Sequence, residues 1–397
     1  MVRRFERIYD VVEPVEEYRF GGYHPVHLRD VFNHRYETSA KVAYGQYSTV
    51  WLANDRELVH GQVALKILKA DASKDSKELS MLLSQSASNV DHPGREHVAQ
   101  LLDHLYHAGP NGNHLCLVFP AMISDGQAMV TTGTPHQAGY IQLLSRQILQ
   151  GADFLHQSGI VHCDLQPANI LVSVTGATFD EKFLQPPEPT PVKWLHGVKQ
   201  DDSAPKYLVP TQRRRGQLDK VPFSALVVMI GDLGGVNVYS SQWVHQRDQI
   251  PVTPRALRAP ELITRDSWDI SIDTWALGCL IFELATNEPL FPLGMFGLTG
   301  DEIDKEHEAL IRQLLDSTDR RRLFTTPLAD RLIDNFGADD LKRLTEFLLL
   351  MLQRIPEKRP SAKQLLSSAF VADDVAITHQ WHPPPDTQNT YTTPHPQ

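Results

Sequence analysis

The chain of 397 residues is 41% hydrophobic and 22% charged, with 38 basic against 48 acidic side chains and a formal net charge of −10. This is the balance of a soluble globular protein with one large or two medium domains, and an acidic chain without a Lys/Arg tract is a poor binder of nucleic acid. Three cysteines without a CxxC pair argue against a disulfide framework or a structural zinc site and suit reducing surroundings; no apolar run of membrane-spanning length occurs, and MVRRFERIYDVVEP lacks the apolar core of a secretory signal.

Residues 1–35 form an N-terminal extension in which Gly21, Gly22 and Pro25 mark a turn rather than an element. From Tyr36 the texture is β-rich. YETSAKVAYGQYSTVWLAND predicts an antiparallel hairpin and QVALKILKA a third strand. KELSMLLSQSA carries Leu79, Leu82 and Leu83 at helical spacing, and HLCLVFPAM reads as a buried strand ending at Pro120. Helices then dominate. AGYIQLLSRQILQGADFLHQSG predicts an amphipathic helix stopped at Gly159, and KRLTEFLLLMLQ predicts a further helix. DTWALGCLIFELATNEPLF is nearly all apolar and so is expected to be buried on every side.

The order implies an α+β, bilobal architecture: a small β-rich lobe over residues 36–121 and a larger, mainly helical lobe over residues 122–370. Within the second, residues 174–224 are rich in Pro and charge and read as an insert, at least partly irregular, with Arg213–Arg215 in a solvated loop. The tail, residues 371–397, is poor in aliphatics and is expected to be disordered. No internal repeat is visible.

The chemistry-bearing residues follow one another in order. KVAYGQYSTVWLA carries Gly45 in the hairpin, with Ala43, Ser48 and Val50 around it. A glycine there lets the backbone approach a ligand closely. VALKI carries Ala64 and Lys66 on the third strand, and Glu78, the only acid between Asp75 and Asp91, opens the next helix. IVHCDLQPANIL sets Asp164, Gln166, Asn169 and Leu171 in a His-x-Asp frame followed by Asn. VVMIGDLGGV puts Asp232 directly after an apolar strand, and its carboxylate with the Asn169 amide would suit a hard cation. RAPELI, then Asp273, Trp275 and Gly278 in a D-x-W-x-x-G pattern, then Arg359 in EKRPSAKQLL complete the series. Each short motif is common by chance; the ordered set is specific.

Together these residues resemble the eukaryotic protein kinase family across residues 36–370. Within it, EEYRFGGYHPVHLRDVF, GQYSTVWLA, DLQPANIL, APKYLVPTQRRRGQL, GDLGG and FELATNEPLF resemble the SR-protein kinases, in particular their short fungal forms. The resemblance implies a serine/threonine protein kinase that uses ATP and Mg2+ to phosphorylate serine in basic Arg/Ser-rich proteins such as splicing factors. It implies that Lys66 contacts phosphates and pairs with Glu78, that Asp164 orients the acceptor hydroxyl, and that Asn169 and Asp232 hold magnesium. Ala43, Gly45, Ser48, Val50, Ala64 and Leu171 would surround the nucleotide, with the Pro120 carbonyl and the Met122 N–H at its base. Glu261 would pair with Arg359, and the 174–224 insert would correspond to the family's spacer. In LTGDEIDKEHEAL, the acids Asp301, Glu302 and Asp304 would dock Arg-rich substrate; an acidic helix start facing water is the other reading. A monomer in the cytoplasm or nucleus, without nucleic-acid or membrane partners, is expected.

Two positions depart from the usual kinase pattern. Cys163 replaces an Arg that often holds an activation-loop phosphate, so activity is expected without phosphorylation of Tyr239, Ser240 or Ser241. Gln166 replaces a Lys that contacts the transferring phosphoryl group, which puts the rate in question. With the depleted glycine loop, it makes a kinase-fold scaffold with weak or no phosphotransfer the alternative.

Overall fold

Alternating apolar residues in the first part of the chain build one antiparallel sheet. It contains β1 (Val31–Phe32), β2 (Tyr36–Tyr44), β3 (Ser48–Asp55), β4 (Gly61–Leu68), β5 (Asp103–Gly109) and β6 (Gly112–Pro120), in the order β1-β2-β3-β4-β6-β5. The computed structural model describes residues 3–10, 12–58, 61–87, 90–130, 136–175, 188–212, 225–238, 252–294, 296–316, 328–332 and 336–372. Successive side chains of a strand point to opposite faces, and the sheet fills two cores this way. Leu52, Leu115 and Leu117 join the main core, whereas Trp51, Cys116 and Val118 join a second cluster with Tyr36, Leu65 and Ile67. Helix α1 (Lys77–Ala87) adds Leu82 to the main core and carries Glu78 in its first turn.

The larger lobe is built from α2 (Ala138–Gln157), α3 (Ser271–Thr286), α4 (Gly300–Leu315) and α5 (Ala338–Met351). Fifteen of the 16 residues of α3 are buried, as its near-unbroken apolar sequence predicts. Gly278 lets the end of α5 come close: a Cβ there would lie 3.0 Å from the Leu352 side chain. Arg359 meets Glu261 through two bonds of 2.5 and 2.7 Å, with its guanidinium 5.2 Å from the Trp275 ring centre. The remaining strands are short: β7 (Ser124–Asp125), β8 (Ile160–Val161), β9 (Ile170–Val174), β10 (Thr190–Pro191), β11 (Tyr207–Leu208), β12 (Leu226–Ile230) and β13 (Asn237–Val238). They pair as β12-β9-β7, β13-β8 and β10-β11, all antiparallel. The molecule is a bilobal α+β kinase-type fold.

Two segments do more than their sequences suggest. The turn at Gly21 and Gly22 is present: Gly21 has φ +81°, and a Cβ on Gly22 would fall 1.9 Å from the Glu17 carbonyl oxygen. Its flanks, however, are folded onto the small lobe. β1 extends the sheet edge, Tyr18 and Tyr23 are buried, and Glu13 lies beneath the sheet beside Lys41. The described part of the insert closes against the same segment. Phe5 bridges to Trp194 with ring centres 4.4 Å apart, and the Leu195 N–H donates to the Arg4 carbonyl. Val209 enters the second core. These pairings join segments far apart in the chain, which local periodicity does not reveal. Arg213–Arg215 and the tail from residue 373 lie outside the described residues. Val371, placed by sequence at the start of the tail, is instead buried in the main core.

Glu13 and Lys41 are almost wholly buried and paired, and the Tyr18 hydroxyl donates to the same Glu13 oxygen. Burial works to lower the Lys41 pKa from its ordinary value, against the pull of Glu13. Removing one partner leaves a buried charge, whereas removing both charges does not. Glu13→Ala is therefore expected to cost about 3–5 kcal/mol in urea unfolding, and Glu13→Gln with Lys41→Met much less. A single variant as mild as the double would show that the pair does not anchor this segment.

Candidate active site

The lobes meet at a cavity of about 340 Å³. Ala43, Gly45, Ser48, Val50, Ala64 and Lys66 line it from the small sheet, and Glu78 from α1. Pro120 and Met122 line it where the chain passes between lobes; Gln166, Asn169, Leu171 and Asp232 line it from the larger lobe. Register explains the small-lobe set, since Val50 lies opposite both Ala43 on β2 and Lys66 on β4. The larger-lobe set follows from the β9–β12 pairing. Ile170 lies opposite Ile230, and the Gly231 N–H donates to the Asn169 carbonyl at 2.8 Å, which brings Asn169 and Asp232 to one end of the ladder.

Lys66 Nζ donates to both Glu78 oxygens, at 2.7 and 2.9 Å, and to Asp232 Oδ1 at 2.9 Å. Burial acts to lower the Lys66 pKa, but the charges of Glu78 and Asp232 outweigh it and raise the pKa above the ordinary value. For Asp232, burial acts upward and the Lys66 charge and hydrogen bond prevail, so its carboxyl titrates below the usual range. Asp232 has φ 58°, and its carboxylate caps the turn Leu233–Gly235 by accepting from Gly234.

Asp164 does not line the cavity itself but is bonded to two residues that do. Its Oδ1 accepts from Gln166 Nε2 at 2.8 Å and its Oδ2 from Asn169 Nδ2 at 3.0 Å. Burial raises the Asp164 pKa, opposed by the His162 charge and these two hydrogen bonds. The preceding backbone is braced from α3: the His162 and Cys163 N–H groups donate to the two Asp273 oxygens at 2.7 and 2.9 Å. The Thr253 hydroxyl donates to the Cys163 carbonyl. Cys163 has φ 65° and a buried thiol pushed up to about 12, first by burial, so it packs the loop and is poorly suited to redox sensing. Tyr239, Ser240 and Ser241 lie outside the described residues.

Asp301, Glu302 and Asp304 stand on α4, apart from the cavity, and each has a partner within the chain. Asp304 meets Arg255 at 2.7 Å, Asp301 meets Arg265 at 3.1 Å, and Glu302 completes a capping box with Thr299. Four contributors were not legible as site residues in the sequence. Asp273 was visible as part of a helix motif but not as the loop's brace. Thr253 carried no motif. The Tyr23 hydroxyl donates to the Gly45 carbonyl at 2.5 Å, and Gln212 of the insert lines the cavity.

A buried hydrogen bond to a carboxylate that loses its acceptor costs about 1–3 kcal/mol. Asp273→Ala is therefore expected to speed amide exchange at His162 and Cys163 by at least about tenfold. Unchanged protection at these two amides would show that the brace lies elsewhere.

Comparison with known proteins agrees with this fold. Residues 36–182 and 218–371 match the protein kinase domain. The chain is 32% identical to a serine/threonine-protein kinase SRPK of Physarum polycephalum, over 91% of this chain and 91% of that one. It is 26% identical to protein kinase dsk1 of Schizosaccharomyces pombe, over 93% of this chain and 86% of that one. A crystal structure of a kinase domain shares the fold, with TM-score 0.58 at 18% identity over 88% of this chain and 98% of that one. The chain belongs to the protein kinase family, is similar within it to the SRPK and dsk1 kinases, and is a serine/threonine-kinase-type phosphotransferase.

Proposed function

We propose that the protein transfers the γ-phosphoryl group of ATP to serine in basic, Arg/Ser-rich proteins. The observation that carries this reading is that one cavity is lined by Lys66, bonded to Glu78 and Asp232, and by Gln166 and Asn169, both bonded to Asp164. In the proposed reaction the serine Oγ forms a bond to the γ-phosphorus as the bond to the ADP oxygen breaks. Asp164 takes the hydroxyl proton, and Lys66 fixes the phosphates. A Cβ on Gly45 would meet no protein atom within 4 Å, so packing does not require this glycine, and its bareness suits a close ligand.

The donor set fits magnesium. Asn169 commits its amide N–H groups to Asp164, leaving its carbonyl oxygen, with the Asp232 carboxylate, as hard oxygen donors. Bound magnesium would neutralise phosphate charge. Gln166 orients Asp164 but brings no positive charge of its own. We expect label transfer from Mg-ATP to an Arg-Ser repeat peptide that disappears in Asp164→Asn. Gln166→Lys should raise kcat by roughly ten- to a hundredfold, since one charged donor at such a site is often worth 10²–10³. No transfer by the folded wild-type protein would sink the proposal.

Substrate choice in this reading follows charge. The chain carries a net −10, and α4 begins with acids. The Asp301 side chain is 78% exposed in its pair with Arg265, and an exposed pair is weak enough for a substrate arginine to compete. Such substrates include splicing factors, which would place the enzyme in the regulation of mRNA processing. Asp301→Asn with Glu302→Gln should raise KM for an Arg-Ser peptide several-fold and flatten its salt dependence. An unchanged KM and salt slope would leave these acids as helix-start charges only.

A further inference from the structure

The insert reaches the nucleotide cavity. Gln212 lines the same cavity as Lys66 and Asp232, although it comes from a segment outside the machinery described above. Its place is fixed. The Gln212 N–H donates to the Lys41 carbonyl at 2.7 Å, and Leu208 and Val209, just before it, are each 1% exposed. Lys41 is in turn held by its buried pair with Glu13.

Geometry along β2 says which end of a nucleotide this residue meets. Lys41 precedes Gly45 by four residues, about 13 Å of extended strand at roughly 3.3 Å per residue. Gln212 therefore meets β2 along its length rather than at the tip, next to the row that runs from Ala40 through Leu52 and Ala64 to Phe119. The charged groups suited to phosphate, Lys66 and Asp232, are bonded to each other, and Lys66 shares its row with Val50 and Ala43 rather than with Lys41. A carboxamide carries no charge; it offers a carbonyl acceptor and two N–H donors, which match ribose hydroxyls and the polar edge of a base. Pro120 and Met122, also on the cavity wall, offer a carbonyl and an N–H to one edge of the base, so further polar contacts fall to its remaining polar edge and the ribose.

We propose that Gln212 is a nucleotide-binding residue, delivered by the insert, that hydrogen-bonds the sugar–base end of the adenine nucleotide. This rests on the nucleotide reading of the cavity and not on the identity of the protein substrate. The full-length chain is titrated calorimetrically with adenosine and with MgADP, as wild type, Gln212→Ala and Gln212→Met. Losing one such hydrogen bond should weaken both ligands by roughly three- to tenfold in both variants, since methionine restores bulk but not the bonds. Unchanged affinities would overturn the proposal. So would weakening confined to MgADP, which would move the contact to the phosphates, or recovery in Gln212→Met, which would reduce the role to packing. A wild-type chain that binds neither ligand would overturn the nucleotide reading and this inference with it. No peptide is present, so failure of the Arg/Ser reading alone would leave the result standing.

Discussion

One half-buried ammonium ties the cleft together. Lys66 is held on β4 and its three hydrogen bonds go to α1 and to the turn after β12. A charge largely withdrawn from water needs a partner; buried Glu78 supplies it, while Asp232, about half exposed, adds a weaker pairing. Sheet, helix and larger lobe are therefore not independently adjustable: a shift of α1 or of the Asp232 turn strands the Lys66 charge. The same contacts that set this mutual position also keep the phosphate-facing groups in one place, so packing and chemistry share a single constraint.

The second fixed point is backbone rather than side chain. Cys163 takes a left-handed conformation, which costs a non-glycine residue roughly 1–2 kcal/mol. The cost is offset by bonds to both of its peptide groups: its N–H to Asp273 and its carbonyl from Thr253. Asp273 belongs to α3, the most buried of the long helices among the described residues, so the loop is anchored to the core. The side chain that in many kinases would hold a phosphate is here a thiol packed inward, with Asn237 donating to its sulfur. A loop braced by a buried carboxylate and a hydroxyl already has its shape without an added phosphate.

What the sequence showed and what it hid divide by range. Period-two alternation made β2, β3 and β4 legible, a short continuous apolar run did the same for β6, and the apolar run of α3 announced its burial. Lys66, Glu78, Asp164, Asn169 and Asp232 were legible because each sits in a short local motif. The Glu13–Lys41 pair was hidden, because a lone acid in a charged stretch normally faces water. The acids of α4 show in sequence as a cluster, but not what meets them. Arg255 and Arg265, from another segment, pair with Asp304 and Asp301. Local pattern records which residues share a face; it does not record what arrives from elsewhere to meet them.

The small sheet has two apolar faces, and each needs a cover. The main core supplies one; the N-terminal segment and the insert supply Val26, Tyr207 and Val209 to the other. Closing such long loops adds little entropy beyond that of shorter ones, so distant segments are an affordable cover. They also grip the hairpin that borders the cavity, through the Tyr23 hydroxyl at Gly45 and the Gln212 N–H at Lys41. A hairpin held at its tip and along β2 is pre-shaped, and ordering that is complete before binding is not charged against affinity. Because linkage is reciprocal, whatever loosens the wrapped segments must weaken a ligand that needs the hairpin in place, and that ligand must tighten the wrap. The cover of a hydrophobic face thereby becomes part of the energetics of the cleft.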